Sequence, residues 1–164
     1  MKRLLLVFLI PNFLYAQDTD SLPEVLISGN RIETSLMEEG RNVQVLTKKQ
    51  IEALPVQSVN ELLQHVAGLD FKQRGPWGAQ ADVSLRGGSF DQTLILLNGV
   101  KVNDPQTGHH NMNLGIDLNS IKQVEIIKGP AAARYGLNAF NGVINIITEP
   151  NETNKVDVHG TFGK

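Results

Sequence analysis

From Val43 onward, apolar residues come in short runs separated by Gly, Pro, Asn and Asp, as in a domain of short strands and helices. Val43-Gln44-Val45-Leu46 reads as a strand, and Thr47 then caps a brief helix, Lys48 to Leu54, that stops at Pro55. Ser58-Val59-Asn60-Glu61 has the form of a capping box, in which each side chain satisfies a backbone donor at the other's position. The helix it opens carries Leu62, Leu63 and Val66 as its apolar face and ends at Gly68. Leu69-Asp70-Phe71 leaves that helix as a strand, Arg74 to Gln80 is a Gly- and Pro-punctuated loop, and Asp82 to Arg86 alternates with period two, as a half-buried strand does. Thr93 to Leu97 is a continuous apolar strand. Asn98-Gly99 predicts a tight hairpin, because both residues tolerate positive φ, and Val100 to Val102 is the returning strand. After a polar loop, Asn103 to Asn113, come a strand at Val124 to Ile127, a short helix at Ala131 to Tyr135 and a last buried strand, Gly142 to Thr148. This mixed order predicts an α+β fold: a compact mixed β-sheet with short helices, over residues 43–148.

The ends of the chain follow other patterns. Lys2 and Arg3 precede the apolar run Leu4 to Ile10, and Leu14-Tyr15-Ala16 before Gln17 fits a cleavage site, so residues 1–16 read as a secretory signal peptide. A membrane anchor would need roughly 20 apolar residues, and Pro11 and Asn12 interrupt the run. Residues 17–42 are polar and broken by Pro23, Gly29 and Gly40, except for Val25-Leu26-Ile27, so this stretch reads as a flexible tether. Residues 149–164 are a linker followed by alternation: Val156, Val158, Gly160 and Phe162 against Asp157, His159, Thr161 and Gly163, as at the start of a transmembrane β-barrel strand.

Composition narrows the function classes. With 15 Lys and Arg against 17 Asp and Glu and no basic block, nothing electrostatic points to nucleic acid. The absence of cysteine removes disulfides, thiolate metal sites and lipidated cysteine from an exported chain. Arg86-Gly87-Gly88-Ser89 and Lys128-Gly129-Pro130 lack the glycine spacing of a phosphate loop, and His109-His110 have no cysteine or carboxylate at ligand spacing. No metal or other cofactor is expected, and no serine, histidine and acid have a spacing that singles out an enzyme.

Six segments in one order resemble the plug domain of TonB-dependent outer-membrane receptors. They are the VLIS-type segment after the signal, SVNELLQHVAGLDF, VSLRG at Val83 to Gly87, LILLNGVKVND, VEIIKGPAAARYG at Val124 to Gly136, and GVINIIT. The resemblance runs from about Glu24 to Thr148, and the layout of a vitamin B12 or siderophore receptor is the nearest. It implies a plug filling its own C-terminal β-barrel in the outer membrane, with a periplasmic N-terminus. It also implies energy-coupled uptake of a scarce nutrient such as a metal chelate or cobalamin, driven by TonB of an inner-membrane complex, and no bond chemistry. The alternative is a free periplasmic α+β binding domain without a barrel.

The resemblance also implies roles for particular residues. Glu24, Val25, Leu26, Ile27 and Ser28 lie where the family has its TonB box, an extended segment suited to adding a strand to a partner's sheet edge. The competing reading makes them a strand of the plug itself. Arg86 and Lys128 sit where the family often carries two arginines paired with barrel glutamates; Arg86 keeps that pattern, whereas Lys128 departs from it and cannot fork to two carboxylates. Solvated or locally paired charges are the other reading of both. The loops Arg74 to Gln80 and Asp104 to Met112 resemble the family's substrate-touching loops, which nominates Arg74, Pro76, Trp77, Gln80, Gln106, His109 and His110. For Trp77, packing back onto the plug stands as the alternative.

Overall fold

The computed structural model describes residues 26–27 and 34–35 as backbone, together with 42–75, 80–102, 104 and 106–150. The stretch read as a signal peptide, residues 1–16, and the alternating stretch after residue 150 lie outside the described residues. The domain is α+β. Its centre is a five-stranded sheet in the order β3 (Asn42–Thr47), β8 (Ile121–Lys128), β9 (Gly142–Thr148), β6 (Thr93–Leu97), β7 (Val100–Val102). The β6–β9 pair is parallel and the other pairs antiparallel, so the sheet is mixed. β4 (Leu69–Gln73) and β5 (Ala81–Leu85) form a separate two-stranded hairpin. β1 (Leu26–Ile27) and β2 (Thr34–Ser35) form another, apart from the main sheet.

Period-two alternation gives the central sheet two unlike faces. One carries Val124, Ile126, Ile144, Ile146 and Ile95. Against it pack α1 (Lys48–Glu52), α2 (Val59–Gln64) and the β4–β5 hairpin, through Ile51, Leu62, Leu63, Val83 and Leu85. Leu62 and Leu63 are fully buried, as the helical spacing predicts, and each contributes about 1.5–3 kcal/mol by leaving water. The other face carries Leu94, Leu96, Ile127 and Val143, packed with Ala131 and Ala139 from around α3 (Ala132–Tyr135). On this second face lies a charged residue, Glu125, wholly buried. An unpartnered carboxylate would be very costly there. Instead Gln123 Nε2 donates to its Oε1 at 2.8 Å and Asn145 Nδ2 to its Oε2 at 3.1 Å. Asn145 Oδ1 in turn accepts from the Gly99 amide at 3.0 Å, which ties the β6–β7 turn to the middle of the sheet.

Local chemistry sets most element ends. Asn98 and Gly99 take φ 51° and 77°, the pair of positive angles a type I′ turn requires. Ser58 Oγ accepts from the Glu61 amide at 3.2 Å as expected, but Glu61 Oε2 accepts from the Gln57 amide at 2.8 Å, so the second half of the box reaches one residue further back. The first helix ends at Glu52 rather than Leu54, with Ala53 as its cap. β8 begins three residues earlier than the apolar run suggests, across an irregularity between Ile121 and Gln123 that leaves Lys122 outward and Gln123 buried. β5 stops before Arg86, whose φ of 52° is left-handed and breaks the strand.

Candidate functional site

The β4–β5 hairpin separates two groups of nominated residues. At its open end, Leu69 pairs with Leu85, and the Arg86 amide donates to the Gly68 carbonyl at 3.1 Å. This bond holds Arg86 in its left-handed conformation, which costs roughly 1–2 kcal/mol in a residue with a Cβ. Gly87 follows at φ 74°. Arg86 is exposed, and its guanidinium lies against Gly129. Among the described residues it has no ion pair or side-chain hydrogen bond.

Lys128 reaches the same end from β8, with a different outcome. Its ammonium donates to Gln44 Oε1 at 2.7 Å and to the Ala67 carbonyl at 2.5 Å, and it is part-buried. The two cations therefore share a neighbourhood and differ in state: Arg86 is free to meet an external carboxylate, whereas Lys128 is engaged inside the domain with two neutral acceptors.

At the turn end of the hairpin, about 15 Å away along five residues of strand, the two nominated loops meet. Asp82 is the hinge between them. Its Oδ1 lies 2.9 Å from His109 Nδ1, and its Oδ2 lies 3.9 Å from Arg74 Nη2. The Arg74 pair is two-thirds exposed on the arginine side and contributes little. The His109 contact is more enclosed, and the ring of Phe90 lies 4.2 Å from the His109 ring, centroid to centroid. The Arg74 amide also donates to the Gln80 carbonyl at 2.9 Å, closing the base of the first loop. His110 turns elsewhere, its Nδ1 lying 3.1 Å from Asn113 Nδ2, so the adjacent histidines do not converge. Pro76 and Trp77 lie outside the described residues.

The second loop is organised by Asp104. Its carboxylate accepts from the Thr107 hydroxyl at 2.6 Å and from the Gln106 and Thr107 amides at 3.1 Å each. Gln106 thus serves the turn through its backbone, leaving its exposed side chain toward solvent. These donors, the Thr107 hydroxyl first, lower the Asp104 carboxyl from 3.8 to about 2. The turn accordingly has this support in full above the ordinary carboxylate range and loses it progressively as pH falls from about 3.8 to about 2. Thr107→Val is expected to raise the Asp104 midpoint toward 3.8, read from its carboxyl carbon shift in an NMR titration. A midpoint that stays near 2 would assign the effect to the backbone donors instead.

Beside this end lies a cleft of about 540 Å³ between the start of α2 and the segment after the second loop, lined by Ser58, Asn60, Gln73, Met112, Leu114 and Ile116 among others. It contains none of the nominated residues. Glu24, Val25 and Ser28 lie outside the described residues, while Leu26 and Ile27 form β1 against Thr34–Ser35 and join neither the central sheet nor the β4–β5 hairpin. Asp82, Phe90, Gln44 and the Ala67 carbonyl position the nominated side chains, and none of them belongs to a motif that points to such a role. Asp82 has one sequence signal, a carboxylate in an alternating strand directly after a loop.

Comparison with known proteins adds the family. Residues 35–143 match the model of the TonB-dependent receptor plug domain. The vitamin B12 transporter BtuB of Vibrio vulnificus strain CMCP6 is 34% identical over 147 residues, 90% of this chain and 24% of that protein. BtuB of Photobacterium profundum is 32% identical over 146 residues, 88% of this chain and 24% of the relative. Among solved structures, the siderophore receptor PirA from Acinetobacter baumannii superposes with a TM-score of 0.53 at 30% identity, covering 66% of this chain and 17% of that one. A mutant of the ferric enterobactin receptor PfeA from Pseudomonas aeruginosa, in complex with enterobactin, gives 0.53 at 27% identity, covering 65% and 17%. The chain spans about a quarter of the length of the curated relatives it matches. With a family match over most of its length and relatives of this identity along nearly all of it, the chain belongs to the TonB-dependent receptor plug domain family.

Proposed function

We propose that this plug gates an outer-membrane receptor that takes up a cobalamin- or siderophore-class nutrient, with energy delivered by TonB to Glu24–Ser28. In this reading residues 1–16 direct export, 17–42 form the periplasmic tether, 43–148 close the lumen of a barrel, and residues 149–164 lead into its first strand. The observation that carries the reading is similarity along 90% of the chain to proteins named as vitamin B12 transporters. The geometry is in keeping with it. The loops proposed for ligand contact sit at one end of a hairpin, and at the other Arg86 is exposed and, among the described residues, without an ion pair, as a contact to a barrel carboxylate would need.

The test is uptake of labelled cyanocobalamin and ferric enterobactin by cells producing the full-length receptor, with and without an uncoupler. Accumulation of one of them only in energised cells is expected. Binding of neither would remove the proposed substrate class, and uptake indifferent to the uncoupler would remove the TonB-coupled gate.

Arg86 gives a second test of the plug in place. Arg86→Ala in the full-length receptor is expected to raise entry of large antibiotics several-fold by freeing the plug from the barrel. Arg86→Gly is expected to do the same while relieving the left-handed strain, so that loss of the fold cannot account for the leak. Unchanged permeability in both variants would leave Arg86 as a solvated charge.

A further inference from the structure

We infer that Lys128 is a positioning residue that fastens the edge strand β3 to the rest of the plug and sets how readily β3 leaves the sheet. β3 is the least secured long strand of the central sheet. It lies at one edge and, among the described residues, is paired only with β8. None of its six residues is fully buried, whereas β9 buries six of its seven. Partial burial, with Val43 and Leu46 packed against the two cores, is what opposes its departure besides the ladder.

The direction of loading matters as well. Asn42, where the N-terminal tether joins the domain, pairs with Lys128 at the C-terminal end of β8, and the register then runs inward to Thr47 opposite Gln123. A pull on the tether reaches this ladder at its Asn42 end, so its hydrogen bonds open one at a time rather than together. Lys128 stands at that end. Gln44 is its diagonal cross-strand neighbour on the same face, and the ammonium bridges Gln44 Oε1 on β3 to the Ala67 carbonyl in the turn after α2. Both bonds are charge-assisted, and they tie β3, β8 and the turn after α2 together at one point. Gly68 belongs to the same turn, and a Cβ there would approach the ammonium to 3.9 Å. A compact ammonium can reach an amide oxygen and a carbonyl on different elements without having to present a planar fork.

The fastening stands on the geometry alone; its role as a gate rests on the reading of this chain as a plug pulled by TonB. The test is amide hydrogen exchange on the full-length receptor carrying Lys128→Met, which keeps the apolar stem and removes the charge. Exchange of the residue 43–47 amides is expected to quicken about 10- to 100-fold, the effect of losing bonds to a charged donor, with β6 and β9 little changed. Gln44→Leu should produce a smaller increase in the same strand, and it carries the test if Lys128→Met fails to fold. The double variant should exceed Lys128→Met only slightly, because both act on one clip. Unchanged β3 exchange, or an equal increase through β6, β8 and β9, would overturn the inference. Faster β3 exchange with unaltered energised uptake of the nutrient would keep the fastening and overturn its role in gating.

Discussion

Leu26→Pro in the full-length receptor is expected to abolish energised uptake while leaving nutrient binding at the cell surface intact. The reason lies in where β1 is. Leu26 and Ile27 pair with Ser35 and Thr34 in a two-stranded sheet of their own, outside the ladders of the central sheet and of the β4–β5 hairpin. A two-residue hairpin of this kind is marginal in water, so its backbone is available to a partner's sheet edge at little cost. Strand addition works through the backbone, and proline both removes a donor and fixes φ, breaking the ladder at its centre. Leu26→Ala trims a side chain and keeps the ladder, so it should reduce uptake only partially. Equal loss of binding and uptake would instead make Leu26 part of the plug's fold. Normal uptake would place the coupling segment elsewhere.

What the sequence makes legible is what short-range chemistry decides. Asn98-Gly99 can be assigned because the positive φ of both residues is a property of the dipeptide, and Leu62-Leu63-Val66 because one helical face must be covered. Alternation at Asp82 to Arg86 marks a strand, but β5 ends at Leu85 and buries every residue except Asp82 rather than one face alone, and alternation has no information about the partner. That β5 pairs with β4 and stays out of the central sheet is settled by how α2 and the hairpin share one face of that sheet.

The site shows the same division. His109 and Arg74 can be nominated individually, whereas Asp82, which brings both loops together, is 27 positions from His109 in sequence. Lys128 meets Ala67 across 61 positions and Gln44 across 84, and its acceptors are a backbone carbonyl and an amide that no charge pattern would flag. Glu125 leaves a visible trace, a carboxylate within the apolar run Val124 to Ile127. Its burial is not legible there, because the amides that satisfy it come from Gln123 on its own strand and Asn145 on the next.

The largest expected loss of stability follows from Gly142→Ala. Gly142 opens β9 between two strands, paired with Thr93 on β6 and Lys128 on β8. Its φ is 154°, a backbone conformation that residues with a Cβ seldom adopt. A Cβ there would stand 2.2 Å from the Ile127 carbonyl oxygen and 2.6 Å from Leu85 Cδ1. The carbonyl belongs to β8 and can retreat only by disturbing the sheet, and Leu85 is fully buried with no space to turn into. Strain of about 1–3 kcal/mol and overpacking of about 1–3 kcal/mol then act together, a large part of the roughly 5–15 kcal/mol that holds a typical domain folded. Two other glycines separate the causes. Gly99→Ala meets nothing within 4 Å but keeps a φ of 77°, so it should lose only about 1–2 kcal/mol, the backbone strain alone. Gly115→Ala meets nothing within 4 Å and has no positive φ, so it should be close to neutral. Urea unfolding of residues 42–150, with m of about 1–3 kcal/mol/M, should place the Gly142→Ala midpoint about 1 M or more below that of the parent. A midpoint within about 0.3 M of the Gly115→Ala variant would mean that β9 does not enter the sheet under the Ile127 carbonyl.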